Sequence, residues 1–460
     1  MYLFNRRNSS DFTPKSARFD GMQCNPPAEW IIGDRWDQDD WWLENGAVAG
    51  NLVMKNYLKD GHKIAKDIGK MVKDGRISVR EGADYLYNLL CYLYIGNLAR
   101  LNAHDFALQY NSLLKAHKFP IEAGLSSVPD QEPLYDVINL NNTIFFTSLQ
   151  GDSSRYYFPP KNGIYSPSDM IPGANGRVAM MWRKPKERKK VPDGDNYFRL
   201  PATTLAKNRN ITYVDAVIDG SVIDINRKEI HTGAAKRHAF PILSEEDVNE
   251  GYRKYLSRYG HTVSVKENKK RAAERMERYA DGRKEQKEDF KNEIREYHGE
   301  YPSEFVDGKV TSLGINPDST ALVYELSYKM DNLVKRAGNN VILSLGKLFC
   351  DQLELLPSDR ERDVDAYFGT PREYVTRISV DIPSGYTVNE SSLSGLNRLI
   401  LNESGAFSAN TTLVSPDKLQ VDIIKRYNKG VLPVSEWPEM LSVLDMASEW
   451  NNVSILLEKK

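Results

Sequence analysis

The chain has 460 residues, 40% of them hydrophobic, and 62 Lys and Arg against 63 Asp and Glu give a formal net charge of −1 at pH 7. This length and composition describe a globular chain long enough for two to four domains, and the balanced charge excludes attraction to nucleic acid through net charge. No run of about eighteen apolar residues occurs, which excludes a membrane-spanning helix by sequence.

Met1 to Arg7 lacks the apolar core of a signal peptide, so the chain is expected to be either cytoplasmic or a mature or truncated form. Residues 1–22 are polar and read as an arm or the remnant of an upstream domain. Trp30, Trp36, Trp41 and Trp42 then crowd around the acidic run from Asp34 to Asp40. As a calcium loop that run fails, because counting from Asp37 the sixth position, which needs glycine, is Trp42. No metal or cofactor is therefore expected, and the tryptophans read as packing between helices, with a carbohydrate or peptide platform as the alternative. Val53, Tyr57, Ile64, Ile68 and Met71 predict one or two amphipathic helices around Gly61, ended by Gly75. Residues 85–95 predict a helix apolar nearly all round, in which Cys91 acts as a small hydrophobe. Cys24, Cys91 and Cys350 are odd in number and fall in different regions, so no disulfide framework is expected.

Asn102 is a good N-cap and Asp105 can reach back to its amide, so a helix is expected to start there. Phe106, Ala107, Tyr110, Leu113 and Leu114 give it one buried face, and Pro120 stops it. A loop is expected over residues 126–133, then a strand over 143–147, a turn at Gly151-Asp152 and a returning strand over 155–158. Residues 182–190 form a basic, Pro-containing linker.

Residues 211–225 read as two strands joined at Asp219-Gly220, opening a β-rich module. Residues 245–297 read as helical and highly charged, an inserted helix pair whose outer part is solvated. Within it, Glu267/Arg271, Lys270/Glu274, Glu274/Arg278 and Lys284/Glu288 are opposite charges four apart, each stabilising an exposed helix by about 0.2–0.5 kcal/mol. Strands are expected over 320–326, 341–348, 375–382, 397–401, 411–413 and 419–427. A helix over 438–450 and a strand over 453–457 follow. This series of short strands predicts a C-terminal β-sandwich.

Leu101-Asn102-Ala103-His104-Asp105-Phe106-Ala107, Leu140-Asn141-Asn142-Thr143-Ile144 and Tyr156-Tyr157-Phe158-Pro159-Pro160-Lys161 together resemble the core of bacterial transglutaminase-like proteins. In that family the three segments run roughly Gly-Asp-Cys-Lys-Asp-Lys-Ala, Phe-Asn-His-Val-Ile and Tyr-x-Leu-Asp-Pro-Thr. Asn175-Gly176-Arg177, residues 362–369, Pro383-Ser384-Gly385-Tyr386-Thr387-Val388 and Glu436-Trp437-Pro438-Glu439-Met440 extend the resemblance over most of the chain from about Trp36. It implies an α+β fold in which a helical layer packs on a small antiparallel sheet, as in cysteine proteases. β-rich sandwich modules with an inserted charged helical segment follow. The implied domains are residues 23–181 (transglutaminase-like), 182–194 (linker), 195–350 (β-rich, with the insertion) and 351–460 (C-terminal sandwich).

The resemblance places Ala103 at the nucleophilic cysteine, Asn142 at the histidine and Pro159 at the aspartate. Alanine offers no nucleophile, an asparagine amide is no base near neutral pH, and a proline side chain accepts no hydrogen bond. The expectation is a non-catalytic member of the bacterial envelope or periplasm that binds a peptide, glycan or protein through the old cleft, with Asn102, His104, Asp105, Asn141 and Tyr156 as cleft residues. Two alternatives stay open: a hydrolase or acyltransferase that recruits Cys91 or His104, and a purely structural envelope module.

Overall fold

The computed structural model describes residues 54–96, 103–127, 143–157, 163–181, 197–389, 393 and 395–460. The N-terminal arm, the tryptophan cluster and the basic linker lie outside the described residues.

Helices α1 (Gly61–Lys73), α2 (Val79–Gly96) and α3 (Ala103–Ala116) come first. Ser78 and Glu81 start α2 reciprocally: the Glu81 amide donates to Ser78 Oγ at 3.1 Å, and the Ser78 amide donates to Glu81 Oε2 at 2.8 Å. The middle of α2 is buried all round, including Cys91, as its composition predicts.

A five-stranded antiparallel sheet follows, built from β1 (Ile121–Ser127), β2 (Thr143–Leu149), β3 (Tyr156–Tyr157), β4 (Val178–Met181) and β5 (Tyr197–Arg199) in the order β3-β2-β1-β4-β5. Its central strand corrects the sequence reading, which placed the start of a loop at Ser126 and assigned only β2 and β3 to the expected small antiparallel sheet. Small and polar residues in β1 hide its strand character, yet Ser126 and Ser127 are buried between β2 and β4. Gly124 explains the composition, because a Cβ there would lie 2.4 Å from the Phe146 ring.

The β-rich part begins with the predicted hairpin, β6 (Arg209–Asp219) and β7 (Val222–His231). Helices α4 (Glu245–Leu256) and α5 (Lys269–His298) precede β8 (Glu304–Leu313), β9 (Leu322–Met330), β10 (Val334–Ala337), β11 (Asn340–Leu343) and β12 (Ala366–Tyr367). Next come β13 (Arg372–Asp381), β14 (Tyr386–Val388), β15 (Arg398–Leu401), β16 (Gly405–Ser415), β17 (Lys418–Tyr427), β18 (Val431–Leu432), α6 (Trp437–Asn451) and β19 (Ile455–Lys459). Eight of these strands form one sheet, β15-β16-β17-β13-β6-β7-β9-β8, and β10-β11-β19-β14 form a second that shares its core.

The expected boundary between residues 350 and 351 is not a structural division. β13 pairs in parallel with β6 along nine residues, from Glu373↔Arg209 to Asp381↔Val217, so strands from both expected modules make one sheet. Sequence periodicity assigns a strand its faces and leaves its neighbours unspecified.

The insertion is more integrated than its charge suggests. Val248, Tyr252, Tyr255 and Leu256 of α4 enter the same core as α1, α2 and α3, while Phe290, Ile294 and Tyr297 of α5 sit on the eight-stranded sheet. Of the four predicted ion pairs, Lys270–Glu274 forms at 3.9 Å. Glu267 instead reaches Arg275, Arg278 binds Glu245 of α4 at 3.0 Å, and Lys284 turns to Asp281. Packing α4 against α5 accounts for the Arg278–Glu245 pair, whereas Glu267 lies just ahead of α5 and Asp281 within it.

The chain is thus mixed α and β with several antiparallel sheets and a β-rich C-terminal part. Among the described residues no helix is long and apolar enough to cross a membrane.

Candidate functional site

The described parts of the three resemblance segments fall on one helix–sheet unit, formed by α3, β2 and β3. Ala107 shares a buried cluster with Phe145, and one turn later Thr147 Oγ1 donates to Asn111 Oδ1 at 2.8 Å. Helix and strand therefore advance in the same direction. β3 runs back beside β2 with Thr147↔Tyr156 and Phe146↔Tyr157 in register. As a result, α3 and β2 start at the same end of the unit, at Ala103 and Thr143, and β3, whose Tyr157 is level with the middle of β2, runs toward that end.

Asn102, Asn141, Asn142 and Pro159 lie outside the described residues, as do the side chains of Ala103, His104 and Asp105. Asn142 immediately precedes β2 in the chain, and Pro159 follows β3 by two residues.

Tyr156 is not a cleft residue. It is 3% exposed and points to the helical side of the sheet, where its hydroxyl donates to Asp84 Oδ1 at 2.8 Å. Tyr157, one residue on, points to the opposite side and joins Phe146, Ile171, Ala174, Ala179 and Leu200. Both faces of the sheet are thereby covered. Tyr87 of α2 donates to the Tyr157 carbonyl at 2.7 Å and Tyr110 of α3 to the Ala83 carbonyl at 2.9 Å, so buried hydroxyls hold β3 and α3 against α2.

Asp84 escaped the sequence reading. Burial pushes its carboxyl up to about 6, while the Tyr156 hydrogen bond and the Arg80 charge act in the opposite sense. A lone acid at the head of an apolar helical run was the available signal. Cys91 is 0% exposed, and burial raises its thiol pKa, which suits packing and opposes thiolate chemistry.

A second polar cluster lies under α5. In β7 the alternation that buries Ile223 and Ile225 continues through Arg227, Glu229 and His231. Arg227 pairs with Glu293 of α5, lies 3.5 Å from Glu229 and stacks its guanidinium 3.8 Å from the Tyr297 ring centre. Burial pushes the Glu229 carboxyl up to about 8, with the Arg227 charge acting in the opposite sense. His231 is pushed down to about 3, chiefly by burial, and stacks on Tyr324 with a 10° interplanar angle. Continuing the alternation past Ile225 would have exposed this cluster in the sequence.

Among the described residues no group of His, Cys, Asp and Glu could hold a metal ion. An open groove of about 490 Å3 between α4 and the β8–β9 turn is lined by Asp247, Glu250, Lys254 and Arg258, remote in the chain from the resemblance segments.

No protein-family model matches the chain, and no curated protein matches it. Among solved structures, the crystal structure of a putative protease from Parabacteroides distasonis is similar with a TM-score of 0.40 and 10% sequence identity, over 90% of this chain. This chain spans 58% of the length of that one.

Proposed function

We propose that this chain is a transglutaminase-like module of the bacterial envelope that has lost covalent catalysis and binds a peptide, glycan or protein at the end of the unit where α3 begins. The observation that carries this reading is the shared direction of α3 and β2, anchored by Asn111–Thr147 and Ala107 beside Phe145. A nucleophile, a base and an orienting acid need that convergence, and the residues the resemblance assigns to those roles are Ala103, Asn142 and Pro159. Because such groups act as a unit, a chain without the nucleophile has no covalent route.

The complete burial of Cys91 weighs against its recruitment as a nucleophile.

The test combines turnover with binding. The native chain is assayed for transamidation and peptide hydrolysis, then titrated with glutamine- and lysine-containing peptides and with soluble peptidoglycan fragments. No turnover, with saturable binding that Ala103→Trp abolishes while the melting temperature stays unchanged, is the expected result. Turnover lost on Asn142→Ala or His104→Ala would overturn the proposal, as would binding indifferent to Ala103→Trp.

A further inference from the structure

We propose that β15 is a self-complementary edge through which a second copy of this chain pairs, continuing the eight-stranded sheet across a two-fold axis. Among the described residues β15 ends the sheet, with β16 as its strand partner. Leu399 is 74% and Leu401 72% exposed. Both lie on the face opposite α6, while Ile400 between them packs on the core that α6 covers.

The hydrogen-bond parity of the edge is fixed by its turn. The Asn402 amide donates to the Gly405 carbonyl at 3.0 Å, so Asn402, Ile400 and Arg398 direct their backbone groups toward β16. Leu399 and Leu401 therefore direct theirs outward. An antiparallel second copy with Ile400 opposite Ile400 sets each Leu399 across from Leu401 of the other copy. All four outward N–H and C=O pairs then close, and four exposed leucines collect on one face. Only an antiparallel arrangement also brings the Arg398 end of one strand to the Glu403 end of the other. Both residues are exposed, and neither forms a side-chain ion pair among the described residues.

The opposite edge shows what protection looks like in this sheet. β8 is irregular between Phe305 and Asp307 and again between Val310 and Ser312, and it carries Glu304 and Lys309, which pair with Lys329 and Glu325. Bulges and charges of this kind blunt an edge. The run from Leu399 to Leu401 has no bulge, charge or proline. Two leucines per copy make a small interface, so the dimer is expected to be reversible, with a dissociation constant on the order of micromolar or weaker.

Sedimentation equilibrium of the full chain from about 1 to about 500 µM tests this. A concentration-dependent dimer is expected, with at least tenfold weaker association in Leu399→Lys/Leu401→Lys and an unchanged circular dichroism spectrum. Ile400→Cys should give a disulfide-linked dimer under mild oxidation, because Ile400 would face itself in a non-hydrogen-bonded pair about 4.5 Å apart at Cα. Leu399→Cys alone, facing Leu401, should not. A monomer throughout the range, a dimer unaffected by the paired lysines, or equal cross-linking through Leu399→Cys would each overturn the proposal.

Discussion

The Tyr156 hydroxyl donates to Asp84 Oδ1 at 2.8 Å inside the helical core, joining the last strand of the resemblance segment to the helix that carries Cys91. Strand β3 has only two residues, so this bond and the Tyr87–Tyr157 bond add to its short pairing with β2 in holding its place.

Asp84 gives the first prediction. Burial pushes its folded carboxyl up to about 6, against 3.8 for an unperturbed aspartate, so the folded chain holds a proton that the unfolded chain releases between those values. Its contribution to stability is fully present below about pH 4 and is lost as pH rises through about 6, on the order of 3 kcal/mol in all. In Asp84→Asn this component should vanish from the difference between stabilities measured by urea unfolding at pH 4 and pH 7. Tyr156→Phe removes the bond that restrains the shift, so the Asp84 titration followed by NMR should move upward.

The Arg227–Glu293 pair should be costly to break and cheaper to replace whole. Arg227→Met leaves Glu293 without its cation and should destabilise by about 3–5 kcal/mol. Adding Glu293→Gln should recover part of that loss, and equilibrium unfolding of both single variants and the double variant measures the coupling. Additive losses would show that the contact is not energetically coupled.

Cys91 should be labelled by iodoacetamide only as fast as the helical core opens, since it is fully buried and its thiol is held protonated. Mass spectrometry of digested, time-quenched samples separates it from Cys350. Rapid labelling of Cys91 in the folded protein would revive the recruited-thiol alternative.

Gly346 lies where the chain leaves β11 and meets the end of α6. A Cβ there would stand 2.4 Å from the Trp450 carbonyl oxygen and 2.5 Å from that of Asn451. Since both obstacles are backbone, Gly346→Ala should cost about 1–3 kcal/mol in chemical denaturation. Gly282, with nothing near its missing Cβ, is the control and should become more stable as alanine within α5.

The sequence by itself determined the helices carrying Ile64, Cys91 and Tyr110, the hairpin at Asp219-Gly220 and most strands from Leu322 onward. In each, local periodicity and turn chemistry act over a few residues. It also carries the three resemblance segments, on which the expectation of inert residues at Ala103, Asn142 and Pro159 rests. Only the tertiary structure decided that Ser126 and Ser127 belong to a central strand, because what holds them is the backbone of β2 and β4 and the Phe146 ring over Gly124. The structure alone turned Tyr156 inward to Asp84, paired β6 with β13 across more than 150 residues of chain, and drew the charges of α5 toward α4. Each of these outcomes depends on partners distant in sequence, and the pattern of a segment constrains which of its faces is buried without specifying what buries it.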